Sequence, residues 1–249
     1  MKMISEKARM KKNGQVLLKD KNIVKIIVSS AEIDENEKIL EIGPGLGILT
    51  SELLSTGARV HAIEKSKEFY EYLKSYFFTE IAEGKLILEN GDALETDFQK
   101  FDKIVSNIPY NISSPITFKI LRHKFKMGII MYQREFARRL VAKPGTKDYS
   151  RLSVNVYYFA DVKILRDVPK TVFYPTPKVD SSIVKIIPNK KFNVKDENLF
   201  FNITERLFSQ RRKMIKNVLG EVPYGDYRVE DLTPEQIGEI ADYLHEKVN

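Results

Sequence analysis

Between residues 39 and 136 short, dense apolar runs alternate with longer amphipathic stretches. Few topologies accommodate that rhythm. The runs at 38–43, 59–64, 85–88, 101–106 and 127–131 read as strands, being short and rich in aliphatic and β-branched residues. The stretches at 49–54 and 69–78 read as helices. A further helix opens at Ser114-Pro115, a serine cap followed by a proline in the first turn, where the missing N–H costs nothing. Strands joined by helical crossovers lie parallel, because the helix returns the chain to the same end of the sheet. The expectation is an α/β fold, with a mostly parallel sheet and helices on both faces.

The pattern then changes. Residues 161–168 and 181–187 read as two late strands, hairpin-like in arrangement. From about residue 189 only helical periodicity remains, at 196–208, 210–219 and 233–248. Pro188-Asn189-Lys190-Lys191 is the expected boundary between a large domain, 1–188, and a small helical one, 189–249. A chain of 249 residues can bury both cores.

The chain has no cysteine, which excludes disulfides, thiolate catalysis and cysteine-ligated metals. His61, His123 and His245 lie far apart, so no metal site is expected. No apolar run approaches the ~20 residues of a membrane span, and the first residues hold no apolar signal core. The expectation is a soluble cytoplasmic protein with no membrane partner. A net charge of +7 favours polyanionic partners.

The first strand ends in Glu41-Ile42-Gly43-Pro44-Gly45-Leu46-Gly47. Glycines at a strand-to-helix turn let a ligand approach the backbone. Dinucleotide folds place a G-x-G-x-x-G there, with pyrophosphate at the helix N-terminus. Here the spacing is G-x-G-x-G, and Glu41 is a poor neighbour for phosphate. It better suits a cationic or hydrogen-bonding ligand, such as the amino-acid part of S-adenosylmethionine. Glu64 ends the second strand, where an acid accepts hydrogen bonds from a ribose diol. Asp92-Ala93 follows the third, placing a carboxylate by an adenine amine and a small residue under the ring.

The fourth strand runs into Asn107-Ile108-Pro109-Tyr110. The Asn107 side-chain oxygen and the Ile108 carbonyl are two acceptors suited to the two N–H groups of a nucleobase exocyclic amine. Such an amine is a poor nucleophile while its lone pair is delocalised into the ring. Two acceptors pull the nitrogen toward a tetrahedral shape and free that pair for attack on a methyl group. Pro109 holds Ile108 extended and removes a ladder donor. Tyr110 offers a stacking face worth ~1–3 kcal/mol per base.

These strand ends resemble the amine-directed class I S-adenosylmethionine methyltransferases. The likeness extends to Gly14-Gln15-Val16-Leu17-Leu18 with Asp20, to the segment from Tyr132 to Arg139, to Phe173-Tyr174-Pro175-Thr176-Pro177-Lys178-Val179-Asp180-Ser181, and to the segment from Gln210 to Asn217. In order, these are similar to the ribosomal RNA adenine dimethyltransferases along essentially the whole chain. The Phe-x-Pro-x-Pro-Lys-Val run is specific to that family. The small-subunit branch, which dimethylates two adjacent adenines in the 3′-terminal hairpin loop of 16S-type rRNA, is the nearest in pattern.

The resemblance implies a Rossmann-like class I methyltransferase sheet plus a small all-helical C-terminal domain that contacts RNA or the ribosome. It implies S-adenosylmethionine as cofactor and small-subunit rRNA, in an immature 30S-type particle, as partner; a monomer is the default expectation. Gln15, Val16 and Leu18 would line the cofactor mouth. Gly43 and Gly45 would contact the methionine part, with Glu41, Gly47, Lys65 and Ala93 completing the cofactor set around Glu64, Asp92 and Asn107. Tyr110 and Phe173 would sandwich the target base. The family usually has His or Asn, then Phe, after the glutamine; Val16-Leu17 stands here instead, and the C-terminal lobe is short.

Residues 1–20 form a basic arm, with Lys7, Arg9, Lys11 and Lys12. Gln210 to Lys216 is a second basic cluster. On a helix there, Phe208, Ile215, Val218 and Leu219 share one face, Lys213 and Lys216 point away from it, and Arg211 falls on the apolar side, where an interlobe ion pair is expected. Lys11, Lys12, Arg134, Arg138, Lys178, Arg212, Lys213 and Lys216 are the candidate RNA contacts. Competing readings are a resistance-type large-subunit rRNA methyltransferase, a DNA adenine or glutamine methyltransferase, a non-catalytic RNA-binding or transcription-factor descendant, and a nicotinamide enzyme.

Overall fold

The computed structural model describes residues 16–248. The elements in chain order are β1 (Leu17–Leu18), α1 (Lys21–Ser30), β2 (Lys38–Ile42), α2 (Ile48–Ser55), β3 (Arg59–Glu64), α3 (Lys67–Tyr76), α4 (Phe78–Ala82), β4 (Leu86–Asn90), β5 (Lys103–Asn107), α5 (Ser113–Leu121), β6 (Met127–Gln133), α6 (Arg134–Leu140), α7 (Arg151–Phe159), β7 (Ala160–Val168), β8 (Phe173–Tyr174), β9 (Ser181–Pro188), α8 (Glu197–Ser209), α9 (Lys216–Leu219) and α10 (Pro234–Val248). They divide into two units. One holds the described residues up to Ala137 with Lys163–Pro188; the other holds Arg138–Val162 and the described residues from Asn189 onward.

The first unit is built on a sheet of order β4-β3-β2-β5-β6-β9-β7. β4, β3, β2, β5 and β6 are parallel neighbours, and β9 runs antiparallel to β6. Ile39, Leu40, Ile42, Ile104 and Val105 are buried, as strands covered on both faces require. From β2 the chain goes to β3 and β4 on one side, then crosses to β5 and β6 on the other. The carboxyl ends of β2 and β5 therefore flank the reversal of strand order, where open α/β sheets bind ligands. A separate two-stranded ladder joins β1 to β8, pairing Leu17 with Tyr174 and Leu18 with Phe173.

Local chemistry sets the ends of these elements. Asp20 caps α1, accepting the Asn22 and Ile23 amides at 2.8 and 3.2 Å. Helix α5 starts one residue before the expected Ser114 and has Ile112 at its cap position, without a side-chain cap bond. The expected serine cap is therefore corrected, while Pro115 does lie in the first turn.

The second unit packs α7, α8, α9 and α10 around Tyr149, Phe200, Leu207, Ile215 and Ile237. Asp196 caps α8 through the Leu199 amide, at 3.0 Å. The boundary at 188–189 is present, but residues 138–162, read above as part of the large domain, group with the helices instead. The expected helix over 210–219 is corrected to the short α9. The Ile215 amide bonds the Tyr227 carbonyl at 2.9 Å and the Lys216 amide bonds the Gly225 carbonyl at 2.9 Å. Those long-range partners replace helical ones at the start of the segment.

Candidate active site

At the end of β2 the backbone turns through Gly43, with φ +69°, and enters α2 from Gly47, with φ +81°. Both values are costly for any residue with a Cβ. A Cβ on Gly43 would lie 3.1 Å from the Pro109 ring, so the glycine turn packs directly on the Asn107-Ile108-Pro109-Tyr110 segment. A Cβ on Gly47 would lie 2.6 Å from the Phe77 ring.

The two acids at the carboxyl ends of β3 and β4 are held in place. Glu64 is buried. Its Oε2 accepts the Gly45 amide at 3.1 Å and its Oε1 the Ser66 amide at 2.7 Å. Burial raises its pKa against the pull of those amides. Asp92 Oδ2 pairs with the Lys65 ammonium at 2.6 Å, and Oδ1 accepts the Leu94 amide at 2.9 Å. Lys65 holds the Asp92 carboxyl below its usual range. Both carboxylates keep further lone pairs for a ligand's donors.

These groups surround a cavity of about 460 Å³, within the ~300–1,000 Å³ of small-ligand sites. Val16, Gly43, Gly45, Glu64, Lys65, Asp92 and Ala93 all lie on its wall, as do Asn107, Ile108 and Pro109. The Asn107 Oδ1 atom is buried without a hydrogen-bond partner. Unsatisfied buried acceptors are rare, and a functional site is one of the few settings that retain them. Among the described residues, no cluster of His, Asp or Glu could hold a metal ion.

Several expected contacts are placed otherwise. Glu41 is 1% exposed and faces a smaller cavity of about 30 Å³, which Leu18 and Asn107 also line. Its Oε2 accepts the Thr50 hydroxyl at 2.7 Å. Burial, with the Glu64 charge adding to the push, raises its pKa to about 8. In this ligand-free form Glu41 is thus a protonated carboxyl at neutral pH, able to hydrogen-bond a ligand, and a cation placed beside it would draw its pKa back down. Gly47 lines neither cavity; its conformation serves the close packing of α2 against Phe77. Phe173 is fully buried in the core, paired with Leu18, and presents no face to a base in this form. Tyr110 is half-buried and hydrogen-bonds Ser181 through its hydroxyl at 2.7 Å. The expected aromatic sandwich is therefore not assembled. Asn111, Ser66 and Phe69 lie on the cavity wall and had no signal in the spacing beyond adjacency to the strand ends.

Gln15, Lys11 and Lys12 lie outside the described residues. Arg134 is tied to Asp180 at 3.0 Å. Arg138, Lys178, Arg212 and Lys213 are exposed. Lys216 pairs with Asp226 at 2.5 Å. Arg211 pairs with Glu230 at 2.6 Å and donates to the Thr146 and Lys147 carbonyls, all within the helical unit, which corrects the expected interlobe pair.

A sheet of this order, a glycine turn at its switch point and an acid at the carboxyl end of each of the next two strands define a class I methyltransferase. Residues 6–241 match the family model for ribosomal RNA adenine dimethylase, and the chain belongs to that family. The "Probable ribosomal RNA small subunit methyltransferase A" of Methanosarcina mazei is 43% identical over 92% of this chain and 91% of its own length. A dimethyladenosine transferase from Plasmodium falciparum has a similar crystal structure, with TM-score 0.82, 30% identity and coverage of 93% of this chain and 98% of that one. The 23S rRNA methyltransferase ErmE is also similar, with TM-score 0.70, 25% identity and coverage of 92% and 99%. The enzyme is thus an S-adenosylmethionine-dependent rRNA adenine dimethyltransferase. The cavity fits that cofactor: two carboxylates, a turn that presents only Gly43 and Gly45 to the space, and an unpartnered amide oxygen meet in one ligand-sized cavity.

Proposed function

We propose that this enzyme dimethylates, at N6, two adjacent adenines in the 3′-terminal hairpin of small-subunit rRNA. It acts as a cytoplasmic monomer on an immature 30S-type particle. Asn107 Oδ1 carries the reading: it is a buried acceptor, without a partner, at the end of β5 on the cavity wall. It takes one N–H of the target amine and the Ile108 carbonyl takes the other. Glu64 holds the cofactor's ribose and Asp92 its adenine, while Gly43 and Gly45 admit its methionine part. Bound S-adenosylmethionine supplies a methyl group on a sulfonium. The chain's own contribution is to fix the amine and orient two dipoles toward it; the proton that the methylated, cationic nitrogen must lose can pass to water afterwards, so no general base is needed before attack.

The similarity favours the small subunit: 43% identity to a relative with that name, against 25% to a 23S enzyme. Undermethylated small subunits incubated with labelled S-adenosylmethionine should yield dimethyladenosine at neighbouring positions. Label in large subunits alone would overturn the substrate. Asn107→Ala should abolish transfer and leave cofactor binding within a few-fold; full activity in that variant would overturn the role of Asn107.

A further inference from the structure

A second cavity lies wholly within the helical unit and has no part in the site above. It measures about 380 Å³, also within the range of ligand sites. Much of its wall is apolar, Leu140, Pro144 and Val162 among it. Its polar groups include Tyr157, Asp161 and Glu235, each held by a hydrogen bond or ion pair. Tyr157 donates its hydroxyl to Glu235 Oε1 at 2.7 Å, which orients the carboxylate and leaves Oε2 as an acceptor. Tyr157 is 40% exposed, so part of its ring stays open. Lys143 is on the wall, and the Lys191 ammonium stands 5.9 Å from the Tyr157 ring centroid. Asp161, also on the wall, is occupied by Lys191 and by Asn189.

We propose that this cavity binds a guanine nucleotide of an RNA strand, with the base against Tyr157 and its N1–H and N2–H donors on the Glu235 carboxylate. The proposal rests on the rRNA substrate argued above. An ionised carboxylate is acceptor-only. Guanine is the nucleobase that presents two adjacent N–H donors on its pairing edge; adenine and cytosine set an acceptor beside their amine, and uracil offers one donor. Splayed bases stacked on aromatic rings and read along their edges are the usual mode of sequence-specific RNA recognition. An arginine side chain has similar donors. Lys143 opposes a cationic peptide, however, and suits the phosphate that accompanies a nucleotide, whereas the Lys191 charge is already met by Asp161.

The test uses the full chain saturated with S-adenosylhomocysteine, so that the methyl-transfer cavity is filled. Guanosine 5′-monophosphate, adenosine 5′-monophosphate and N-acetylarginine amide are titrated separately by NMR. The guanine nucleotide should bind about tenfold more tightly than the adenine one, and Glu235→Gln should cost about tenfold for guanine alone, as loss of a charged acceptor implies. Tyr157→Phe keeps the ring and should cost less. Equal binding of the two nucleotides, guanine binding indifferent to Glu235→Gln, or preference for the arginine compound would each overturn the proposal. If Glu235→Gln does not fold, the guanine-to-adenine ratio and the shifts of Tyr157 resonances in the unmodified chain decide. Dimethylation of small subunits is measured in parallel. Normal transfer without guanine preference removes this cavity's role and leaves the substrate reading standing.

Discussion

Replacing Glu41 by Gln should make the protein more stable, by an amount that grows with pH. The carboxyl is 1% exposed and its pKa rises from 4.5 to about 8, chiefly through burial. Between those values the native state keeps a proton that the unfolded chain has released. Stability therefore falls by about 1.4 kcal/mol for each pH unit in that window. The loss is absent below pH 4.5, reaches about 3 kcal/mol at pH 7 and levels off once both states are ionised above about pH 8. These figures are ceilings, because water penetration and relaxation lower the effective penalty of a buried charge. Glutamine is neutral at every pH, and its carbonyl can still accept the Thr50 hydroxyl. The assay is urea unfolding of both proteins, without cofactor, at intervals from pH 5 to 8.5. Glu37 titrates outside this window: burial pushes its pKa up, but hydrogen bonds from Lys103 and Lys126 outweigh that and hold it at about 2. Glu64 is present in both proteins, and its repulsion of an ionised Glu41 is part of the difference that the variant removes. A variant that is less stable at pH 8 than the parent, or that shows the same slope with pH, would refute the assignment of a neutral Glu41.

Gly47→Ala should cost about 2–4 kcal/mol in unfolding free energy, from the left-handed backbone and the clash with Phe77 together. Cofactor affinity of the folded fraction, measured calorimetrically, should stay within about twofold; a large loss of affinity at unchanged stability would return Gly47 to the cofactor wall. Lys213→Ala should lower the slope of log binding constant against log salt by about 1 on small-subunit rRNA. Lys216→Ala should lower it less, because Asp226 already engages that ammonium. Filter binding at several salt concentrations reads both, and an equal effect would show that the Asp226 pair does not persist in solution.

The parallel sheet was legible because its signals are local. Short aliphatic runs end at the residues that flank the cavity, and strand ends are where such sheets present function. Glu64, Asp92, Asn107 and Pro109 were read on that ground, and all four line the cavity of about 460 Å³. What failed needed three-dimensional information. An aromatic residue in a run that resembles a family motif reads the same whether it stacks on a base or fills a core, and Phe173 is buried in the core in this form. The segment 138–162 adjoins the sheet in sequence yet packs with helices that begin some 35 residues later. The wheel over 210–219 assumed intrahelical bonds, and backbone partners at 225 and 227 took them instead.

Glu41 and Glu64 stand close in the fold, and their environments give them different work. Glu41 gains one hydroxyl bond against complete burial, so it holds its proton. Glu64 gains two backbone amides, one of them from Gly45 in the glycine turn. In a dinucleotide fold the amides of that turn are directed at pyrophosphate. Here one of them is already spent on a carboxylate from the neighbouring strand, which would also repel a phosphate placed beside it. The same arrangement leaves the wall rich in acceptors, at Glu64, Asp92 and Asn107 Oδ1. A ligand that brings hydroxyl and amine donors is matched by such a wall, and a pyrophosphate is not. The nicotinamide reading is thus disfavoured by the hydrogen bond between Gly45 and Glu64, which also explains why this turn can keep its glycines without serving as a phosphate cradle.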